Sequence, residues 1–295
     1  EIALSLVGSE MCIRDRAARV MGLQPDGIRR IPVDAQGCMC ISALHDHLQR
    51  LRQQDRPCIA VVATAGTTVR GAIDPMPPLA QLCREQGIWL HVDGAIGAVF
   101  ALCPGTSKLM QGLASADSIT VNPQKLLGIA KTSSLLLVRD QSALLETFHT
   151  GLPYMEPSAA AAHGGELGLQ GSRPAEILKL WLGLRQLGEQ GIHAVLEKAL
   201  LRRQRLQDRL DPSLLEITSG PLHLLACAPV GADASRCERW TAAMRQRLLD
   251  QQIMVSRPVH EGRHRIKVVL GNPHTSDALI DQLGDQLNDI SGEQA

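Results

Sequence analysis

Two charged residues stand at the ends of apolar, β-branched runs. Asp93 closes Trp89-Leu90-His91-Val92-Asp93, and Lys125 closes Asp117-Ser118-Ile119-Thr120-Val121-Asn122-Pro123-Gln124-Lys125. Strands that end in this way within an open α/β sheet deliver their last side chains to one edge, where such sheets build their sites. Lys125 is followed by Leu126-Leu127-Gly128-Ile129, and apolar surroundings disfavour the ammonium form. A lysine of that kind forms a Schiff base with a carbonyl, and a nearby carboxylate is what a pyridinium nitrogen needs. On these two segments alone, a solvated loop lysine and a turn aspartate fit equally well.

A third segment, Val61-Val62-Ala63-Thr64-Ala65-Gly66-Thr67-Thr68-Val69-Arg70-Gly71-Ala72-Ile73-Asp74-Pro75, is again a strand ending in a small, hydroxyl-rich loop. In order, Thr64 to Thr68, His91 to Ala95 and Asn122 to Lys125 resemble the Thr-x-Gly-Thr-Thr, His-Val-Asp-Ala-Ala and Asn-Pro-His-Lys motifs of the group II pyridoxal-phosphate-dependent amino-acid decarboxylases. Leu169-Gln170-Gly171-Ser172-Arg173 resembles the family's entry to a long helix, and Val269-Leu270-Gly271-Asn272-Pro273-His274-Thr275 its last strand-to-helix turn. The resemblance runs from about Ala17 to the end. It implies an α/β, fold-type-I enzyme with an incomplete, mainly parallel large domain and a smaller C-terminal α/β domain.

The resemblance also implies pyridoxal 5'-phosphate as cofactor and decarboxylation of an amino acid to an amine and carbon dioxide. Lys125 would be the Schiff-base lysine and Asp93 the partner of the ring nitrogen. Tyr154, the single tyrosine, could correspond to the family's loop tyrosine that returns a proton to Cα, a task Lys125 could also perform, or be a packed tyrosine in a Pro-bounded loop. Thr64, Thr67, His91, Ala95, Ser118, Asn122 and Gln124 would approach the cofactor. His91, two positions before Asp93, points to the same side of its strand and could support the aspartate or be a core histidine. Thr64 and Thr67 suit a phosphate or ring oxygen, or ordinary turn chemistry. Arg173 could face a substrate carboxylate or pin its own loop. Other fold-type-I chemistry (an aminotransferase or lyase) and a non-catalytic remnant are the alternatives.

Two positions depart from the family pattern. Gln124 replaces the histidine before the lysine and cannot titrate. Gly94 replaces the first alanine after Asp93 and gives less shape to the wall beside the ring. The family's phosphate-binding segment and ring-stacking histidine, upstream of Ala17, have no counterpart here, so the chain is expected to be N-terminally truncated and inactive as written. Residues 1–16 carry no family motif, and their Ser-Glu-Met-Cys-Ile-Arg-Asp-Arg ending resembles translated adaptor sequence. They are expected to lie outside the fold, followed by a partial cofactor-binding domain (17–190) and a small domain (191–295).

Composition narrows the partners. Across 295 residues, Lys+Arg and Asp+Glu balance at 30 each, so no basic field draws nucleic acid or anionic lipid. Phe, Trp and Tyr make up only 2% of the chain, which argues against base-stacking surfaces. No apolar run approaches the length of a membrane span. The eight cysteines are scattered and read as reduced thiols of a cytoplasmic protein. His260 and His264 have a spacing that fits ligands on a helix, but the Glu261-Gly262-Arg263 between them reads as a turn, so no metal is expected. The small-molecule partner is an amino acid, and the family likeness implies a homodimer at full length.

The elements that must position these residues follow from periodicity. Leu44, Leu48 and Leu51 share one face of a helix over 41–54, and a strand over 59–64 follows. A helix over 78–86, stopped by Gly87, leads to a strand over 88–92. Strands over 118–121 and 134–138 flank Lys125. Ile177, Leu180, Trp181, Leu184 and Leu187 share a face of a helix over 174–188. Beyond it come a charged helix (194–210), strands (222–227, 265–270) and helices (235–250, 276–290).

Overall fold

The computed structural model describes residues 2–5, 16, 19–23, 27–130, 134–149 and 164–290. The first half of the chain builds a six-stranded sheet. Its strands are β1 (Ile2–Ser5), β2 (Ile28–Ile31), β3 (Ala60–Thr64), β4 (Trp89–Asp93), β5 (Ser118–Val121) and β6 (Leu135–Val138), in the spatial order β2-β1-β3-β4-β5-β6. All neighbouring pairs are parallel except β5 and β6, which are antiparallel. Helices α1 (Ile41–Gln53) and α2 (Met76–Gln86) are the crossovers that parallel pairing demands. Helix α1 buries the expected Leu44, Leu48 and Leu51. Helix α2 starts earlier than its apolar period suggests, because Pro77 and Pro78 lie in the first turn, where a missing N–H costs nothing.

The expectation that residues 1–16 stand outside the fold is corrected for Ile2–Ser5. Those four residues form β1, parallel to both neighbours, with Ile2 opposite Ile28 on one side and Ala60 on the other. A four-residue strand whose partners are remote in sequence leaves little periodic signal. Two short helices, α3 (Pro123–Leu126) and α4 (Ser142–Phe148), follow β5 and β6.

Helix α5 (Ile177–Arg209) joins the two halves. The sequence suggests two helices with a division near residue 190. The structure has that break: two helical segments part at Gly188, whose φ of 60° and ψ of 177° suit a residue without Cβ. Apolar contacts divide later: Leu196 and Ala199 pack with the large sheet, whereas Leu206 and Leu210 join the second core. The predicted apolar face is also only partly buried. Leu180 is inside, but Ile177 and Trp181 are exposed, and Trp181 lies under the Arg185 guanidinium at 5.8 Å.

The second half contains β7 (Leu215–Ser219), β8 (Leu224–Pro229), α6 (Ala234–Asp250), β9 (Val259–His260), β10 (Arg263–His264), β11 (Ile266–Val269) and α7 (Asp277–Asn288). Strands β11-β8-β7 form an antiparallel sheet, and β9 and β10 a hairpin about the predicted turn. Every residue of β8 is buried, so it forms the centre of this core. Asp233 and Ser276 cap α6 and α7 by accepting the backbone N–H of Arg236 and Leu279. Arg205 and Arg209 of α5 reach Asp281 and Asp285 of α7 at 2.6 and 2.8 Å.

Because β1 is interior to the sheet, deleting residues 1–16 should lower the melting temperature by several degrees, as scanning calorimetry would read. An unchanged transition would mean that the segment contributes nothing to the fold.

Candidate active site

The site sits where β3, β4 and β5 end. In register, Thr64 is opposite Asp93, and Asp93 is opposite Thr120, so three strands finish level. Asp93 accepts the backbone N–H of Ala95 at 3.3 Å. Lys125 lies one turn beyond β5 in α3, which opens with Asn122 at its cap position and Pro123 in its first turn. The sequence thus brings amine and carboxylate to one edge, and the charge of Asp93 is felt at Lys125.

Desolvation holds the Lys125 amine below its ordinary range, and the Asp93 carboxylate opposes that shift. The side chain is still open to solvent, so the depression is partial and the amine can be reached by a ligand. A second amine, Lys267 of β11, is depressed by burial and then by the like charge of Lys125. Sequence reading missed Lys267, which looks like one inward position of an ordinary strand. Only the tertiary structure brings it within the field of Lys125. His223 is buried, stands 5.8 Å from the Phe100 ring, and is held down to about 4 by burial and then by the Lys267 charge. Burial therefore favours its neutral form.

The remaining predicted residues divide into two groups. Ser118 and His91 lie side by side, with Ser118 Oγ 2.8 Å from His91 Nδ1. Thr64 is buried, and its N–H donates to Asp74 Oδ2 at 2.7 Å. Asp74 also accepts from the Met39 N–H at 2.7 Å and so anchors the loop, a role its place before Pro75 did not reveal. Thr67 serves that loop, its Oγ1 accepting from the Ala72 N–H at 3.0 Å. Asn122 Oδ1 accepts from the Ser134 hydroxyl at 3.3 Å. Arg173 donates to the carbonyls of Gln170 and Gly164. Tyr154 lies outside the described residues.

Gly94 is dictated by packing. A Cβ there would stand 2.5 Å from the Ala98 Cβ and 2.9 Å from the Thr120 carbonyl oxygen. Gln124, beside the lysine, has its Oε1 buried with no partner among the described residues. A buried amide left open beside a reachable amine and a carboxylate fits a polar ring ligand. His260 and His264 fall on the paired strands β9 and β10 rather than on a helix. No cluster of three potential metal ligands occurs among the described residues.

Residues 4–218 match the family described as the pyridoxal-dependent decarboxylase conserved domain, and the chain belongs to that family. It is 32% identical over 197 residues to the aromatic-L-amino-acid decarboxylase of Bacillus atrophaeus, covering 65% of this chain and 41% of that protein. It is 30% identical over 307 residues to the L-2,4-diaminobutyrate decarboxylase of Rhizobium meliloti (strain 1021), covering 99% of this chain and 60% of that protein. The crystal structure of mouse CSAD in apo form superposes with a TM-score of 0.87 at 26% identity, covering 97% of this chain and 63% of that one. The chain therefore spans about two-fifths to three-fifths of these relatives. The family match begins inside β1, in keeping with the place of that strand in the sheet. The fold is that of the fold-type-I decarboxylases, and pyridoxal phosphate is the cofactor that the family assignment names.

Two measurements follow. Asp93→Asn removes the charge that supports the ammonium form, so the midpoint for acylation of Lys125, followed by peptide mapping against pH, should move down; an unmoved midpoint would separate the two groups. Gly94→Ala should cost about 1–3 kcal/mol through overpacking, read by denaturant unfolding.

Proposed function

We propose that this chain carries the cofactor-binding core of an amino-acid decarboxylase that releases carbon dioxide and an amine. The observation that supports it is the partly desolvated Lys125 amine within the field of Asp93, on adjacent strand ends of a family domain. Lys125 would hold the aldehyde carbon of pyridoxal phosphate, and Asp93 the protonated ring nitrogen. The bound cofactor supplies a ring that takes up the electron pair left at Cα when the carboxylate departs.

The chain's own groups have distinct tasks. Asp93 would stand as the carboxylate partner of the cofactor's protonated ring nitrogen. Lys125, depressed by desolvation, gives up its proton more readily than a surface lysine and is available as a nucleophile and proton carrier. Lys267 sets a second amine within the field of Lys125, suited to the carboxylate of an incoming amino acid. Gln124 offers an uncharged amide to the ring or its substituents, and Ala95 and Thr64 line the strand ends. Tyr154 is assigned the return of a proton to Cα on family likeness.

The intact enzyme is read as a homodimer. Ile177, Leu178, Trp181 and Leu182 on α5, with Leu136 and Leu137 on the edge strand β6, form apolar surface open to solvent, which a second chain or further sequence would cover. A cytoplasmic location accords with the seven described cysteines, all free thiols. No helix among the described residues is long and apolar enough to cross a membrane.

The test is borohydride reduction of the chain mixed with pyridoxal phosphate, followed by peptide mapping. The reduced label should fall on Lys125 and be lost in Lys125→Ala. Label on Lys108 or Lys131 instead would overturn the assignment.

A further inference from the structure

Strands β4 and β5 carry a row of polar side chains on one face. The Trp89 Nε1–H donates to Ser118 Oγ at 2.8 Å. Ser118 Oγ is 2.8 Å from His91 Nδ1, and His91 Nε2 is 3.2 Å from Thr120 Oγ1. Thr120 stands opposite Asp93 in the parallel register. Trp89, His91 and Asp93 alternate along β4, and Ser118 and Thr120 along β5, so all five side chains share a face.

The two ends of this row have fixed roles. An indole N–H only donates, and an ionised carboxylate only accepts. Each hydroxyl between them has one hydrogen to give. If Ser118 accepts from Trp89 and donates to His91 Nδ1, the imidazole proton resides on Nε2 and goes to Thr120 Oγ1. The Thr120 hydrogen is then available to the Asp93 carboxylate. In this polarity every group donates once, in one direction. With the opposite tautomer, Ser118 would accept from both Trp89 and His91, and its own hydrogen would have no acceptor in the row. Thr120 would then spend its hydrogen on Nε2 and offer none to Asp93. Hydrogen bonds aligned head to tail also polarise one another, which favours the first arrangement in a half-buried site.

We propose that Trp89, Ser118, His91 and Thr120 form a one-way hydrogen-bond relay ending on the Asp93 carboxylate, with His91 held as the neutral Nε2–H tautomer. These are positioning residues. They orient the carboxylate by presenting one directed donor to it. The functional meaning rests on Asp93 being the partner of the cofactor ring, whereas the relay itself is a property of the chain without cofactor.

The test uses long-range proton–nitrogen spectra of the full chain labelled with 15N-histidine, without cofactor, His91→Gln identifying the resonances. His91 should show Nδ1 unprotonated and Nε2 protonated. Thr120→Val, nearly isosteric, should give a mixture of tautomers, and Thr120→Ser should restore the parent pattern. A parent spectrum with the proton on Nδ1, or a Thr120→Val spectrum identical to the parent, would overturn the relay. With pyridoxal phosphate added, Thr120→Val should shift the pH midpoint of the bound cofactor's absorbance, and Thr120→Ser should return it. A bound-cofactor midpoint indifferent to Thr120→Val would show that the relay stops short of Asp93 and would also overturn the proposal. Failure of every variant and the parent to take up cofactor would count against the decarboxylase reading, with the histidine spectra still deciding the relay.

Discussion

The level register of β3, β4 and β5 is the constraint on which the site depends. Thr64, Asp93 and Thr120 stand side by side because backbone pairing holds the three strands in step. The step continues past the strand ends, where the Ala65 N–H donates to the Asp93 carbonyl and the Gly97 N–H to the Ala65 carbonyl, both at 2.9 Å. A slip of one residue would turn His91 and Asp93 to the opposite face and part them from Ser118 and Thr120. Burial of Val61, Ala63, Leu90 and Val92 on the alternate positions opposes such a slip, since those side chains would have to leave the core.

The small sheet supplies a second wall. Leu222, fully buried, fits against Gly66 and Gly97 beside the strand ends, and its neighbour His223 meets Phe100. The pairing of β8 with β11 then sets Lys267 opposite Ala226 and within the field of Lys125. Helix α5 contributes side chains to both cores and so fixes the small sheet against the large one. The electrostatics at the amine thus combine burial within the large domain, an opposite charge from β4 and a like charge from the second sheet.

Several elements were legible because their signals are local. The Leu44, Leu48 and Leu51 stripe defined α1, and the β-branched runs defined β4 and β5, with Asp93 and Lys125 at their ends. Others had no local signal to read. Strands β2 and β7 are short and only partly apolar, and β1 acquires its place from Ile28 and Ala60, which pair with it from elsewhere in the chain. The parting of two helical segments was legible from Gly188, whereas the point where the apolar contacts pass from one core to the other, beyond Ala199, was not, because it depends on which sheet each residue meets.

The sequence by itself determined the class of site: an amine and a carboxylate closing two strands, in an order shared with a decarboxylase family. Residue type and spacing suffice there, because strand-end chemistry and hydrophobic alternation are carried by neighbouring residues. Only the tertiary structure decided that Lys267 lies within the field of Lys125, that Asp74 anchors the Thr64 loop, that Gly94 admits no side chain, and that Trp89, Ser118, His91 and Thr120 form one connected row. Each of these depends on contacts between strands or sheets far apart in the chain. Such contacts arise from three-dimensional register and packing, and no local pattern of residues encodes them.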